Sequence, residues 1–242
     1  MNDIGIVVLA AGQGKRLLPL TAETPKSLLD LKGKSVLERI LDNAAECGAA
    51  EAGIVVGFRE EKIRSKIGGE YAGMKITFIP NPLYQTTNNI YSAWLARDYA
   101  CKTEGGFALI NGDDYFDPRI LRALLESPHS NAAVIDLDKK NLPEEAMKAK
   151  VSDGRLVAVS KKILSAEASG DAIGIYRFSK AGATEFFAEI KALLDEGQNN
   201  IFYLAALDKL VKRFDFFALP TNGLLWGEID DADDYEAALK KY

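Results

Sequence analysis

A single α/β domain is the fold the sequence predicts, with a mostly parallel mixed sheet and helices on both of its faces. Short β-branched and apolar runs alternate with helix-period segments along most of the chain. The first run, residues 4–10, is apolar or glycine throughout, the pattern of a strand covered on both sides. At 242 residues, 48% hydrophobic and 27% charged, the chain is long enough to bury one core, and it shows no repeat, low-complexity tract or linker.

The elements follow in order. After the strand at 4–10 comes an irregular segment through Pro19, Pro25 and Gly33. A helix then opens at Ser35, where Ser35 and Glu38 have capping-box spacing and Val36, Leu37, Ile40, Leu41 and Ala44 form the apolar stripe. Strands are expected at 53–57 and 75–79 around a short helix at 60–67, then a helix at 89–101 and a strand at 107–110. That strand ends on Asn111-Gly112-Asp113-Asp114, and Asp117-Pro118 pairs an N-cap with an N1 proline to open a helix to 125. The second half reads as strands at 132–135, 148–151, 156–159 and 172–178, with Asp153-Gly154 as a hairpin turn. Helices at 179–194 and 200–212, a strand at 214–219 and a final helix from about residue 231 complete a Rossmann-like alternation.

Composition narrows the function classes. A net charge of -5 leaves no basic footprint for nucleic acid or an anionic membrane, so any bound anion must be held by a local cluster of cations and amides. Cys47 and Cys101 fit no metal-ligand spacing and read as reduced residues of a cytoplasmic protein. The first residues carry an acidic flank, Asp3, and too short an apolar run for a signal peptide, and no stretch approaches a membrane span. His129, the one histidine, lies in a polar Ser-Pro-His-Ser-Asn loop, and no Ser/His/Asp or Cys/His constellation is visible.

Chemistry concentrates in Leu9-Ala10-Ala11-Gly12-Gln13-Gly14-Lys15-Arg16, which leaves the buried first strand where an open α/β sheet seats its ligand. Small residues let backbone N–H groups approach phosphate oxygens, and Lys15 and Arg16 add positive charge. A Walker loop needs Ser or Thr after Gly-Lys, whereas Arg16 follows Lys15 here. A dinucleotide fingerprint needs a third glycine where Leu17 stands.

The run continues through Leu17-Leu18-Pro19-Leu20-Thr21 to Thr24-Pro25-Lys26-Ser27-Leu28 and closely resembles the N-terminal signature of sugar-nucleotidyltransferase-like enzymes. The resemblance implies the nucleotide-diphospho-sugar transferase type of fold. It also implies a nucleotide-binding half at about 1–115 and an acceptor-binding half at about 116–242. It makes Leu9, Ala10, Ala11, Gly12, Gln13, Gly14, Lys15, Arg16 and Lys26 nucleotide-binding, with Gln13 near base or ribose and Arg16 and Lys26 catalytic. Asn88 and Asn89, in the run Asn81-Pro82-Leu83-Tyr84 through Asn88-Asn89-Ile90-Tyr91-Ser92, fall where relatives contact base and ribose. Asp113 matches the family's metal-binding aspartate at a strand end, with Asp114 read as capping the following turn. Trp226-Gly227-Glu228-Ile229-Asp230 resembles the closing motif, which assigns Asp230 as second ligand to Mg²⁺ and leaves Asp231, Asp233 and Asp234 as helix-start acids.

Details point towards the branch of cytidylyltransferases acting on phosphocholine, aminoethylphosphonate and similar compounds. The implied reaction is in-line attack by an acceptor phosphate or phosphonate oxygen on the α-phosphorus of an NTP, CTP favoured, with pyrophosphate leaving. In the implied acceptor half, Lys161 is either a phosphate contact or a solvated hairpin lysine, and Glu167 and Tyr115 stand as further acceptor residues. The branch's acid after paired tyrosines is absent from Phe202-Tyr203-Leu204, which argues against a cationic acceptor. Tyr91, Trp94, Tyr115, Tyr203 and Trp226 form either a cation cage or core. A sugar-1-phosphate uridylyl- or thymidylyltransferase and a non-catalytic nucleotide-binding module are the alternatives. A homo-oligomer is compatible with either.

Overall fold

The computed structural model describes residues 4–138 and 142–241; Asp3, read above as an acidic flank, lies outside them. The chain enters at β1 (Gly5–Ala10), passes a small hairpin of β2 (Asp30–Leu31) and β3 (Lys34–Ser35), and forms α1 (Val36–Glu46), β4 (Glu51–Val56) and α2 (Glu60–Ile67). There follow β5 (Glu70–Tyr71), β6 (Met74–Pro80), α3 (Asn89–Leu95), α4 (Arg97–Ala100), β7 (Phe107–Asn111), β8 (Asp114–Phe116) and α5 (Pro118–Glu126). The second half runs β9 (Ala132–Asp136), β10 (Lys148–Ser152), β11 (Arg155–Val159), β12 (Gly170–Phe178), α6 (Lys180–Asp195) and α7 (Leu204–Leu210). It closes with β13 (Phe217–Pro220), β14 (Trp226–Glu228) and α8 (Ala232–Lys241).

Ten strands make one mixed sheet in the order β10-β11-β13-β9-β12-β7-β1-β4-β6-β5. Its parallel part is β7-β1-β4-β6, and β12 turns antiparallel to both β7 and β9. The uninterrupted apolar run of β1 follows from this central place. Ile6 and Val8 pack with Leu37, Ile40 and Leu41 of α1 on one face, while Val7 packs with Ile90 and Phe107 on the other. The capping box of α1 forms as expected: the Glu38 amide donates to Ser35 Oγ (3.3 Å) and the Ser35 amide to Glu38 Oε2 (2.8 Å). Asp117 caps α5 by accepting from the Arg119 amide at 2.9 Å.

Three departures from the sequence reading have a visible local cause. The helix expected at 89–101 breaks at Ala96, whose amide donates to Ala93 O (3.1 Å) as the chain turns into α4. The helix expected from 200 starts at Leu204, because the preceding backbone is committed to the α3 loop. There Asn88 N donates to Asn199 O, Ile90 N to Ile201 O, and Tyr203 N to Asn89 Oδ1 (2.9 Å). The strand expected from 214 starts at Phe217, since the amides of Arg213 and Phe214 still donate to Leu210 O at the end of α7.

β12 carries a register shift between Ala172 and Tyr176 against β9. Gly174 sits at its centre with φ of 81°, and a Cβ there would lie 2.1 Å from Asp114 Oδ2. The bulge bends β12 around the buried Asp114, which is therefore a wall residue of β8 and not the turn cap expected from sequence. No helix among the described residues is long and apolar enough to cross a membrane.

Candidate active site

A cavity of 290 Å³ opens at the carboxyl ends of β1 and β7, and most of the residues singled out by sequence meet in it. Leu9, Ala10, Ala11 and Gly12 form one wall, and a Cβ added at Gly12 would meet nothing within 4 Å, so the backbone there is open to a ligand. Gly14 turns the loop back with φ of 74°, its Thr21-bonded carbonyl (2.7 Å) fixing the bend, and the methylenes of Lys26 press against it. That turn starts the short 3₁₀ segment Lys15–Leu17 and sends Arg16 to the cavity. Gln13, Gly14 and Lys15 themselves do not line the cavity, and Lys15 is solvent-exposed. The loop therefore reaches a ligand through its backbone before Gln13 and through Arg16 after it.

Lys26 reaches the cavity from a second 3₁₀ segment, Lys26–Leu28, and is the hub of the site. Its Nζ lies 2.7 Å from Asp113 Oδ2 and also bonds Asp230 Oδ1, while Arg16 Nη2 pairs with Asp230 Oδ2 at 2.6 Å. Arg16 Nη1 leans on Glu145 at 3.4 Å. Lys26 is only 12% exposed in its side chain, against 29% for Asp113 and 26% for Asp230. Burial disfavours its charge, but the two aspartates outweigh that and hold its pKa above the ordinary lysine value. Burial likewise opposes ionisation of Asp230, and Lys26 and Arg16 overcome it, so that carboxyl is held below the usual range.

Asp113 and Asp230 arrive from distant parts of the chain. β8 and β14 pair antiparallel next to both, and the Ile229 amide donates to Asp113 O at 3.1 Å. Asp231 and Asp234 take the capping role expected of them: Asp234 N donates to Asp231 Oδ1, and Asp234 Oδ2 accepts from the amides of Asp230 and Asp231. Among the described residues no group of three or more His, Cys, Asp or Glu stands together as a metal site. The pair Asp113 and Asp230 nonetheless converges on one ammonium, so two carboxylates already share a cation-sized point. Oxygen ligands in that number suit Mg²⁺, which takes one or two carboxylates and fills its shell with water and phosphate.

Asn81, Asn88 and Asn89 line the cavity, but much of their amide capacity holds the wall in shape. Asn81 Nδ2 donates to Ser92 Oγ (3.0 Å) and its Oδ1 accepts from Leu83 N (2.9 Å). Asn88 Oδ1 caps α3 from Asn89 N at 2.8 Å. Lys161 also lines the cavity, its ammonium 4.9 Å from the Phe202 ring centre.

Two acceptor residues expected from sequence are misplaced for that role. Tyr115 is buried among core residues such as Phe116 and Ile229, on a strand β8 that is covered on both faces. Glu167 lies off the cavity in a 3₁₀ segment, paired at 2.5 Å with Lys150 on the outside of β10. Of the five aromatics weighed as a cage, only Trp226 lines the cavity; Trp94 packs on the core with Arg97 4.2 Å above its ring.

Sequence reading assigned no role to four other cavity residues: Asn111, Glu145, Asp171 and Glu228. Asn111 accepts at Oδ1 from the buried Tyr203 hydroxyl (2.9 Å). Glu228 is carried in the same motif as Asp230, two residues earlier, a spacing that puts both on one side of an extended chain. Burial, then the charges of Asp230, Asp113 and Asp171, push its carboxyl up to about 7.

Fold and site together define a class: an α/β domain whose central loop offers backbone and cations to a polyphosphate beside a carboxylate pair. The chain belongs to the MobA-like NTP transferase domain family, whose model matches residues 6–202. It is 40% identical over 126 residues to CMP-5'-(3-aminopropyl)phosphonate synthase of Streptomyces rubellomurinus, covering 52% of this chain and 20% of that protein. To the CTP:phosphoglutamine cytidylyltransferase of Campylobacter jejuni it is 26% identical, over 97% of this chain and 99% of the relative. The structure of the CTP:phosphocholine cytidylyltransferase from Streptococcus pneumoniae superposes with a TM-score of 0.77 at 22% identity, covering 98% of each chain.

Proposed function

We propose that this domain transfers CMP from CTP to a small phosphate or phosphonate acceptor and releases pyrophosphate. The observation that carries the reading is Lys26, clamped between Asp113 and Asp230 with Arg16 alongside, at the mouth of the open Gly12 backbone. The two relatives named above support the donor and acceptor classes: one is named as a CMP-aminopropylphosphonate synthase, the other as a CTP:phosphoglutamine cytidylyltransferase.

The reaction joins two anions, so the site's work is neutralisation and alignment more than proton transfer. An acceptor oxygen, already ionised near neutral pH, forms a bond to the α-phosphorus as the bond to the bridging oxygen of pyrophosphate breaks. Backbone amides of the loop after β1 hold the triphosphate, Arg16 takes charge on the departing pyrophosphate, and Lys26 takes charge on the α-phosphate. To do so, both side chains exchange a carboxylate partner for phosphate oxygens. Asp113 and Asp230 would hold a divalent cation, Mg²⁺ by their chemistry, which when bound lowers the charge repulsion between the reacting groups. No general base is needed.

A pyrophosphate-release screen of the four NTPs and dTTP against phosphonate, phosphocholine, inositol phosphate and sugar-1-phosphate acceptors tests the reading. CTP with a small phospho- or phosphono-acceptor is the expected pair. Turnover of UTP or dTTP with a sugar-1-phosphate would reassign the acceptor, and silence across the grid with retained nucleotide binding would make the domain a regulatory module.

A further inference from the structure

One side of the cavity is closed by the two segments that flank the β10–β11 hairpin. Residues 142–147 lead into β10 and place Glu145 and Met147 on the cavity, and residues 160–164 leave β11 and place Lys161 there. Both segments are turns and coil, so the sheet ladder does not by itself fix their course.

Lys148, the first residue of β10, stands between them. It is a lysine only 2% exposed, and it lies behind the cavity wall, not on it. Its Nζ donates to Glu144 O at 2.6 Å and to Lys161 O at 3.1 Å, so one ammonium joins both segments. The main chain adds a third tie, since the Ser160 amide donates to Lys148 O at 2.9 Å. In the pairing of β10 with β12, Lys148 is directly opposite Asp171. Both side chains therefore leave the face of the sheet that carries the cavity. Taking an ammonium out of water is costly unless its donors are used, and here two of the three are spent on main-chain carbonyls.

What these bonds fix faces the ligand. Lys161 is held at its carbonyl by Lys148, and its ammonium rests 4.9 Å from the Phe202 ring centre, so it is set on the cavity at two points. Glu145, next to the other tied residue, reaches Arg16 Nη1 at 3.4 Å on the opposite wall.

We propose that Lys148 is a positioning residue: its buried ammonium braces the main chain at Glu144 and Lys161, and so sets Lys161 in place for the anionic end of the acceptor before the acceptor arrives. The inference rests on the function proposed above and adds a residue that touches no ligand. A side chain set in advance loses less freedom on binding, which lowers the acceptor KM and leaves the chemical step alone.

The test is CTP- or UTP-dependent pyrophosphate release with phosphocholine, 3-aminopropylphosphonate and glucose-1-phosphate, read on whichever acceptor the native chain turns over. It compares Lys148→Met, Lys161→Ala, the double variant and Lys150→Met. Lys148→Met is expected to raise the acceptor KM by about three- to tenfold, the cost of ordering one long side chain on binding, with kcat and the nucleotide KM near native. In the Lys161→Ala background the same change should add little, because its effect travels through Lys161. Lys150→Met removes an equal charge from the outside of the same strand and should leave both KM values native. A role in stability alone would lower the melting temperature and leave every KM unmoved. If Lys148→Met does not fold by circular dichroism, Lys148→Gln, which keeps a donor, is measured in its place. An unchanged acceptor KM, or an equal effect with and without Lys161, overturns the inference while the nucleotidyl-transfer reading stands. A native chain that turns over no acceptor sinks that reading, and this one with it.

Discussion

Replacing Lys26 by methionine keeps most of the apolar stem against Gly14 and removes the one charge that lies between Asp113 and Asp230. Removing one partner of a fully buried ion pair costs about 3–5 kcal/mol, because the remaining charge is stranded. Here the stranded carboxylates are 29% and 26% exposed and Asp230 keeps Arg16, so water and the guanidinium recover part of that cost. A loss of about 2–3 kcal/mol remains, which for a chain of this size lowers the melting temperature by about 4–12 °C. The same vacancy leaves two carboxylates converging with no cation between them. Mg²⁺ added without nucleotide should therefore raise the melting temperature of Lys26→Met more than that of the native chain, which must first give up its ammonium. Turnover should fall at least about a hundredfold, as for other lost electrostatic stabilisers. Differential scanning fluorimetry with and without Mg²⁺ reads the first two effects and pyrophosphate release the third. A variant that melts with the native protein and answers Mg²⁺ identically would refute the clamp.

Other changes probe other layers. Asp113→Asn should lower turnover by about two orders of magnitude with a far-UV spectrum like the native one. Gly174→Ala forces a Cβ to 2.1 Å from Asp114 Oδ2 at a φ of 81°, and should cost on the order of 3 kcal/mol in urea unfolding. Glu38→Gln addresses the capping box. Burial acts to raise the Glu38 pKa, but the Ser35 amide and hydroxyl outweigh it and hold it below the ordinary value. A depressed folded pKa contributes stability that is complete above the unfolded pKa and is lost as pH falls through the folded one. The native chain should therefore lose more stability than Glu38→Gln as pH drops below about 4, and parallel acid-denaturation curves would exclude a charged cap.

How much was legible depends on the range of the interaction. The glycine loop, the Ser35–Glu38 box and the Asp117-Pro118 start are written in neighbouring residues, and all formed where the spacing places them. Asp113 and Asp230 were legible by resemblance to a motif, although they meet across Lys26, which lies 204 residues from Asp230. The second half was less legible. Tyr115 and Glu167 carry suitable chemistry in suitable neighbourhoods, yet one side chain turns into the core and the other out to solvent.

Local pattern by itself determined the main strands and helices and the glycine loop after β1, because propensity, capping and apolar period act over a few residues. It also placed positive charge at Lys15 and Arg16, of which only Arg16 lines the cavity; Lys26 was assigned by resemblance. Tertiary structure alone decided which late residues line the cavity. A bulge at Gly174 bends β12, a late antiparallel pairing brings β14 to β8, and so Asp171, Tyr176, Trp226 and Glu228 share one cavity. Such convergence has no signature in a linear sequence, since long-range register depends on the packing of the whole sheet and not on the residues being aligned.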